Sequence, residues 1–123
     1  MIPSSSDEDL LAVAHGSNAP IVMFGHSHIQ FTRTIGDQTF INPGSVGQNR
    51  CGRQLACYGV FEDGQYEARQ VGYDQSGWLA DMDKIDTLNE FEDMREWLKD
   101  GFIKGFGIGE NEPWTTFSEQ GYN

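Results

Sequence analysis

Cysteine is scarce in this 123-residue chain, with only Cys51 and Cys57 present. Two are too few for a disulfide framework, and their spacing matches no paired-cysteine zinc site, so both are expected as reduced thiols. Positive charge is scarce too: eight lysines and arginines face nineteen acids, for a formal net charge of −11. That balance argues against a nucleic-acid groove or an anionic membrane surface as the main partner. Long hydrophobic runs are missing. The runs in the N-terminal half, such as Ile21-Val22-Met23-Phe24, are far too short to span a bilayer, and the N-terminus lacks the basic region of a signal peptide. A soluble cytoplasmic protein is therefore expected. No internal repeat or low-complexity tract occurs, and the length admits one domain with a modest core.

The charge that is present is unevenly placed. Residues 1–60 carry four acids and three bases, whereas residues 61–123 carry fifteen acids and five bases, so the nearly neutral first half can host an anion. Ser5 and Glu8 have capping-box spacing ahead of Leu10, Leu11 and Val13, and Gly16 can supply a left-handed cap, which predicts a helix over 6–15. The unbroken apolarity of Ile21 to Phe24 suits a central parallel strand covered on both faces. Ile29, Phe31, Arg33 and Ile35 then alternate with polar residues, and Gly36-Asp37 turns that strand into a second one over 38–41. A further hairpin joins Leu55–Phe61 to Tyr66–Tyr73 through Asp63-Gly64. Beyond it, residues 75–83 read as a short helix. Thr87 and Glu90 form another capping box before Leu88, Phe91, Met94 and Leu98, with Gly101 as the stop. Residues 1–101 are thus read as one partial domain, followed by a glycine- and aromatic-rich tail over 102–123 that either docks on the body or is disordered. A helix leading into a buried strand is the second part of a right-handed crossover, and no strand precedes it, so the fold is expected to begin midway.

Two motifs carry chemistry. Gly25-His26-Ser27-His28 stands where the buried strand runs out at its carboxyl end, the usual address of sites in open α/β sheets. In extended backbone, residues i and i+2 project to one side, so the imidazoles of His26 and His28 either face one or two metal ions or stand as surface rings on a strand edge. Asn42-Pro43-Gly44-Ser45-Val46-Gly47-Gln48 ends the first hairpin. Gly44 and Gly47 permit positive φ and leave backbone N–H groups unshielded, so this loop either cups an anion or closes as a plain turn. Arg50 lies just beyond, within reach of a phosphate near the imidazoles through a charge-assisted pair, the alternative being a solvated loop arginine. His15 reads as a helix-terminal ring rather than a ligand, and the acids from Asp81 to Asp100 as a solvated helical face.

In this order and spacing, the two motifs and Arg50 strongly resemble the closing half of the calcineurin-like metallophosphoesterases, above all their small bacterial and archaeal phosphodiesterase branch. The resemblance covers approximately residues 5–100. It implies an α/β fold: the C-terminal half of a four-layer α/β/β/α sandwich, with a mixed sheet, two β-hairpins and C-terminal helices. It also implies a hydrolase of small phosphate mono- or diesters that uses two divalent ions drawn from manganese, nickel, zinc or iron. Ions about 3.5–4 Å apart polarise a phosphoryl oxygen and generate hydroxide at neutral pH. By carry-over His26 would ligate one ion and His28 the other, with Gly25, Asn42, Gly44, Ser45 and Arg50 shaping the site or holding substrate. The family's Asp-x-His, Gly-Asp-x-x-Asp and Gly-Asn-His motifs have no match here. No catalytic acid is therefore assigned, and the isolated chain is expected to bind metal weakly and to lack turnover unless a missing N-terminal half or a second copy completes the site. The alternative is a non-catalytic interaction scaffold of the same fold, as in the retromer subunit that resembles these enzymes; the intact His26 and His28 argue against it.

Overall fold

The structure, a computed structural model, describes residues 1–105. The first element is α1 (Asp7–Val13). Its capping box is formed by Ser6 and Asp9, one residue later than the Ser5–Glu8 spacing suggests: Ser6 Oγ accepts from the Asp9 N–H at 3.1 Å and the Asp9 carboxylate accepts from the Ser6 N–H at 3.2 Å. This register places Asp7, Glu8 and Asp9 in the first turn, where the helix dipole favours them. Arg33 fastens the segment ahead of the helix to the sheet, donating to the carbonyls of Pro3 and Ser5 and pairing with Asp7 at 3.2 Å.

Three strands, β1 (Ile21–Met23), β2 (Phe31–Ile35) and β3 (Gln38–Asn42), form a mixed sheet in the order β1-β3-β2. β1 runs parallel to β3, with Met23 opposite Ile41, and β2 runs antiparallel to it, with Phe31 opposite Asn42. β1 is therefore parallel but not central. It lies at the sheet edge with Met23 exposed, because β3 alone is paired on both sides. The core gathers Leu10 and Ala14 of the α1 region over Phe31 and Phe40, with Val22, Phe24 and Ile35 packed against them. Each such large side chain taken out of water contributes about 1.5–3 kcal/mol.

The second hairpin, β4 (Ala56–Glu62) and β5 (Gln65–Val71), forms a separate two-stranded sheet rather than extending the first. Asp63 (φ 49°) and Gly64 (φ 76°) both take the left-handed conformation that its two-residue turn requires. Gln30, fully buried, ties the two sheets together. Its Nε2 donates to the carbonyls of Pro43 (3.1 Å), Tyr58 (3.0 Å) and Arg69 (3.2 Å), and its Oε1 accepts from Gln70 Nε2 at 3.0 Å. Replacing it by leucine strands these buried groups. Gln30→Leu is expected to lower stability by about 1–3 kcal/mol, read as a drop in the urea midpoint; an unchanged midpoint would show that the sheets are held together by other contacts.

The C-terminal part differs most from the sequence-based expectation. α2 (Ser76–Met82) forms where expected, but the anticipated single helix from Thr87 is two, α3 (Asp86–Asn89) and α4 (Glu92–Lys104), and neither has a side-chain N-cap. α4 runs through Gly101 and ends at Gly105, whose left-handed backbone (φ 68°) is the cap that Gly101 was expected to supply. Gly105 is also required sterically, since a Cβ there would lie 2.3 Å from the carbonyl oxygen of Arg53. Residues 102–104 thus belong to a helix, and the rest of the tail, 106–123, lies outside the described residues. Among the described residues no helix is long and apolar enough to cross a membrane.

Candidate functional site

The sheet topology brings the two motifs to one place. Because β1 and β3 are parallel neighbours, both end at the same edge of the sheet. The chain leaving β1 must cross over the end of β3 to enter β2, which starts there. The crossing segment holds Gly25-His26-Ser27-His28, and the segment leaving β3 holds Pro43 to Gln48.

Asn42, the last residue of β3, joins them. It is fully buried, its Nδ2 donates to Ser27 Oγ at 2.9 Å and to the Gly25 carbonyl at 3.4 Å, and its Oδ1 accepts from the Gly44 N–H at 3.0 Å. Ser45 then shapes the rest of the loop: its Oγ accepts from the Gln48 N–H at 3.0 Å and its carbonyl accepts from the Cys57 N–H at 2.9 Å. Gly44 has φ 83° and no room for a side chain. Gly47, expected to use a positive φ, does not, and Gly25 is exposed with open space beside it, so neither glycine is demanded by the chain's own backbone or packing.

The histidines are not in extended backbone. His26 (φ 76°) and His28 (φ 62°) both adopt the left-handed conformation, around a tight turn closed by the Ser27 N–H on the Gly25 carbonyl at 3.0 Å. The i, i+2 extended geometry expected from the sequence is therefore replaced by a turn. Each such residue costs roughly 1–2 kcal/mol, a strain that recurs at functional sites and is held here by the Asn42 bonds below it. His26 is exposed and His28 half-buried.

His28 Nδ1 lies 2.9 Å from the Gln48 carbonyl oxygen. A carbonyl only accepts, so Nδ1 carries the hydrogen and the neutral ring presents its lone pair at Nε2, the arrangement of a metal-ligating imidazole. Burial holds the His28 pKa below the usual imidazole range, against the opposing bond to Gln48, and the nearby positive charges of Arg50 and His26 depress it further. The neutral, lone-pair-bearing form consequently persists to lower pH than in a free histidine. Acidification through the ordinary imidazole pKa of about 6.5 protonates the unfolded chain first, so the contribution of this group to stability falls as pH drops below that value.

Arg50 follows on the same loop, its backbone N–H donating to the His28 carbonyl at 3.2 Å and its positive charge close enough to depress the His28 pKa. Burial lowers its pKa, yet a guanidinium remains charged at neutral pH. Cys51 and Cys57, buried and unbridged, close the loop onto β4. The hydrogen bond between their side chains lowers the Cys51 thiol to about 7 and pushes the Cys57 thiol up, so one sulfur takes the charge for both.

Of the seven residues expected at the site, Gly25, His26, His28, Gly44, Ser45 and Arg50 thus lie on the two segments that follow β1 and β3, and Asn42 ends β3 between them. This combination of loops is reflected in the comparison with protein families. Residues 3–63 match the calcineurin-like phosphoesterase superfamily domain. The match spans α1 to β4, about half the chain, and includes both loops. No curated protein and no solved structure matches the chain significantly. Over these residues the chain is thus similar to a superfamily of metal-dependent phosphoesterases, and the mixed α/β architecture of the region fits such a domain. The His28 imidazole fits a metal ion, with Nδ1 held by the Gln48 carbonyl and the lone pair left at Nε2. Among the described residues, however, no group of three or more histidine, cysteine or acidic side chains could hold a metal ion, so these residues do not supply a complete ligand set.

Sequence reasoning missed Gln30 and the Gln48 carbonyl. Gln30 follows Ile29 in what reads as an alternating strand, on the polar side opposite Ile29, but it precedes β2 and its side chain bonds to both strands of the second hairpin. No residue type signals the Gln48 carbonyl, because the backbone supplies it.

Proposed function

We propose that this chain contributes His26, His28 and the loop from Asn42 to Gln48 to a metal-dependent phosphoesterase site acting on a small phosphate ester. The observation that carries the reading is the His28 Nδ1 bond to the Gln48 carbonyl, which fixes the tautomer and leaves the lone pair at Nε2. A divalent ion held there, manganese, nickel, zinc or iron, would polarise a phosphoryl oxygen and acidify a bound water. Arg50 supplies positive charge for the ester's phosphate. Asn42 keeps the two loops in register.

A catalytic metal usually takes three or more protein ligands, and two imidazoles fall short of that. The chain alone is expected to bind a divalent ion weakly and to hydrolyse nothing until ligands from another polypeptide segment, an N-terminal half or a second copy, complete the set. Titration calorimetry with Mn²⁺ tests this. Weak saturable binding to the chain, reduced about tenfold or more in His28→Ala, supports the reading, as does the absence of hydrolysis of bis(p-nitrophenyl) phosphate under the same conditions. Binding of equal strength in the variant contradicts it. A non-catalytic scaffold of the same fold would show no metal affinity at these histidines at all.

A further inference from the structure

Cys51 and Cys57 are the chain's two thiols, both buried and both unbridged, and their side chains share a hydrogen bond. Backbone bonds fix each of them. The Cys51 N–H donates to Asn49 Oδ1 at 2.8 Å, and the Cys57 N–H donates to the Ser45 carbonyl at 2.9 Å. Gln30 stands at both: Cys57 Cβ and Gln30 Cβ crowd the same position beside Gly44, and the Gln30 N–H donates to the Cys51 sulfur. The two sulfurs are therefore held together where the loop after Gln48 meets β4. The chain joining them, residues 52–55, has neither helix nor strand and is exposed or half-buried. Such a segment opens at low cost and admits a small reagent. Drawing the sulfurs from hydrogen-bond contact to a bond of about 2.05 Å moves this segment and leaves β4 in place.

We propose that Cys51 and Cys57 form a reversible oxidation site, at which a hydroperoxide bridges the two sulfurs and clamps the segment beside Arg50 onto β4. Cys51 is the attacking sulfur, since the bond to Cys57, the Gln30 N–H and the charge of Arg53 all favour its thiolate, the nucleophilic form. Its attack on the hydroperoxide forms an S–O bond and breaks the O–O bond; the departing oxygen takes up a proton and leaves as water or an alcohol. The Cys57 sulfur then attacks the Cys51 sulfenic acid. An S–S bond forms, the S–O bond breaks, and hydroxide leaves as water with the Cys57 proton. Two electrons pass from the thiols to the peroxide, and a dithiol reverses the change by exchange. A bridge of this kind in a reducing compartment is transient and senses oxidant. It acts on the loop whose Arg50 N–H holds the His28 carbonyl, so oxidation restrains that loop from its far side.

Treating the folded full chain with hydrogen peroxide, then counting thiols in denaturant and weighing the product, is the test. The two titratable thiols should fall to none while the chain stays monomeric and loses two hydrogens, and dithiothreitol should restore both. The Arg50 amide resonance should shift on oxidation. In Cys57→Ser the reaction should stop at a Cys51 sulfenic acid that dimedone traps, and in Cys51→Ser the remaining thiol should be lost about tenfold more slowly or less. Thiols that persist in the wild-type chain overturn the proposal, as does a disulfide-linked dimer, a sulfinic acid as the main product, an unmoved Arg50 amide, or equal reaction rates in the two variants. Should either variant fail to fold, the wild-type thiol count and mass decide alone. No metal enters the measurement, so its outcome is independent of the phosphoesterase reading.

Discussion

Gly44→Ala should destabilise the chain by about 2–4 kcal/mol. Two costs combine. The backbone at Gly44 has φ 83°, a conformation that costs an L-residue about 1 kcal/mol more than glycine. A Cβ there would also meet Cys57 Cβ at 2.7 Å and Gln30 Cβ at 3.0 Å. Neither neighbour has room to retreat: Cys57 is buried on β4, and Gln30 is held by bonds to both sheets. Overpacking of this kind costs about 1–3 kcal/mol. The urea midpoint measures the sum, and a change under about 0.5 kcal/mol would mean that the loop shifts away from β4 at little cost.

Asn42→Ala should be comparably severe and should act on the site as well as on the fold. The change removes one acceptor and two donated bonds from a fully buried position, leaving the Gly44 N–H, the Ser27 hydroxyl and the Gly25 carbonyl without their partner. About 1–3 kcal/mol per stranded buried group, partly relieved by loop rearrangement, gives an expected loss of about 2–4 kcal/mol. Because these bonds hold the strained turn over the end of β3, the ring resonances of His26 and His28 should shift in the variant while those of the distant His15 do not. If the His26 and His28 signals stay unmoved, the turn holds itself and Asn42 is only a filler.

Much of this arrangement was legible in the sequence where local chemistry decides the outcome. The Gly36-Asp37 and Asp63-Gly64 turns form where glycine permits left-handed backbone, and the strands on either side follow from alternation or apolarity. The apolar run at 21–24 announces a parallel strand, but its edge position depends on which strand inserts beside it, a choice made by β3 some twenty residues later. The helix division at Glu90–Phe91 was not legible, since Thr87 and Glu90 satisfy the spacing of a cap that the chain does not use. At the candidate site the residue types were visible and their geometry was not. The His-x-His pattern suggests an extended pair, whereas the need to cross over β3 in a few residues bends it into a left-handed turn. The bonds that hold it, from Asn42 and from the Gln48 carbonyl, join segments far apart in sequence, and pattern alone does not reveal them.

The most direct test of the account is paramagnetic broadening by Mn²⁺ of the three histidine ring signals. At low metal concentration the signals of His26 and His28 should broaden together, while His15, exposed beyond the end of α1, keeps its line width. Equal broadening of all three, or of none, would mean that the turn at the end of β1 is no metal site, and the phosphoesterase reading of this chain would be wrong.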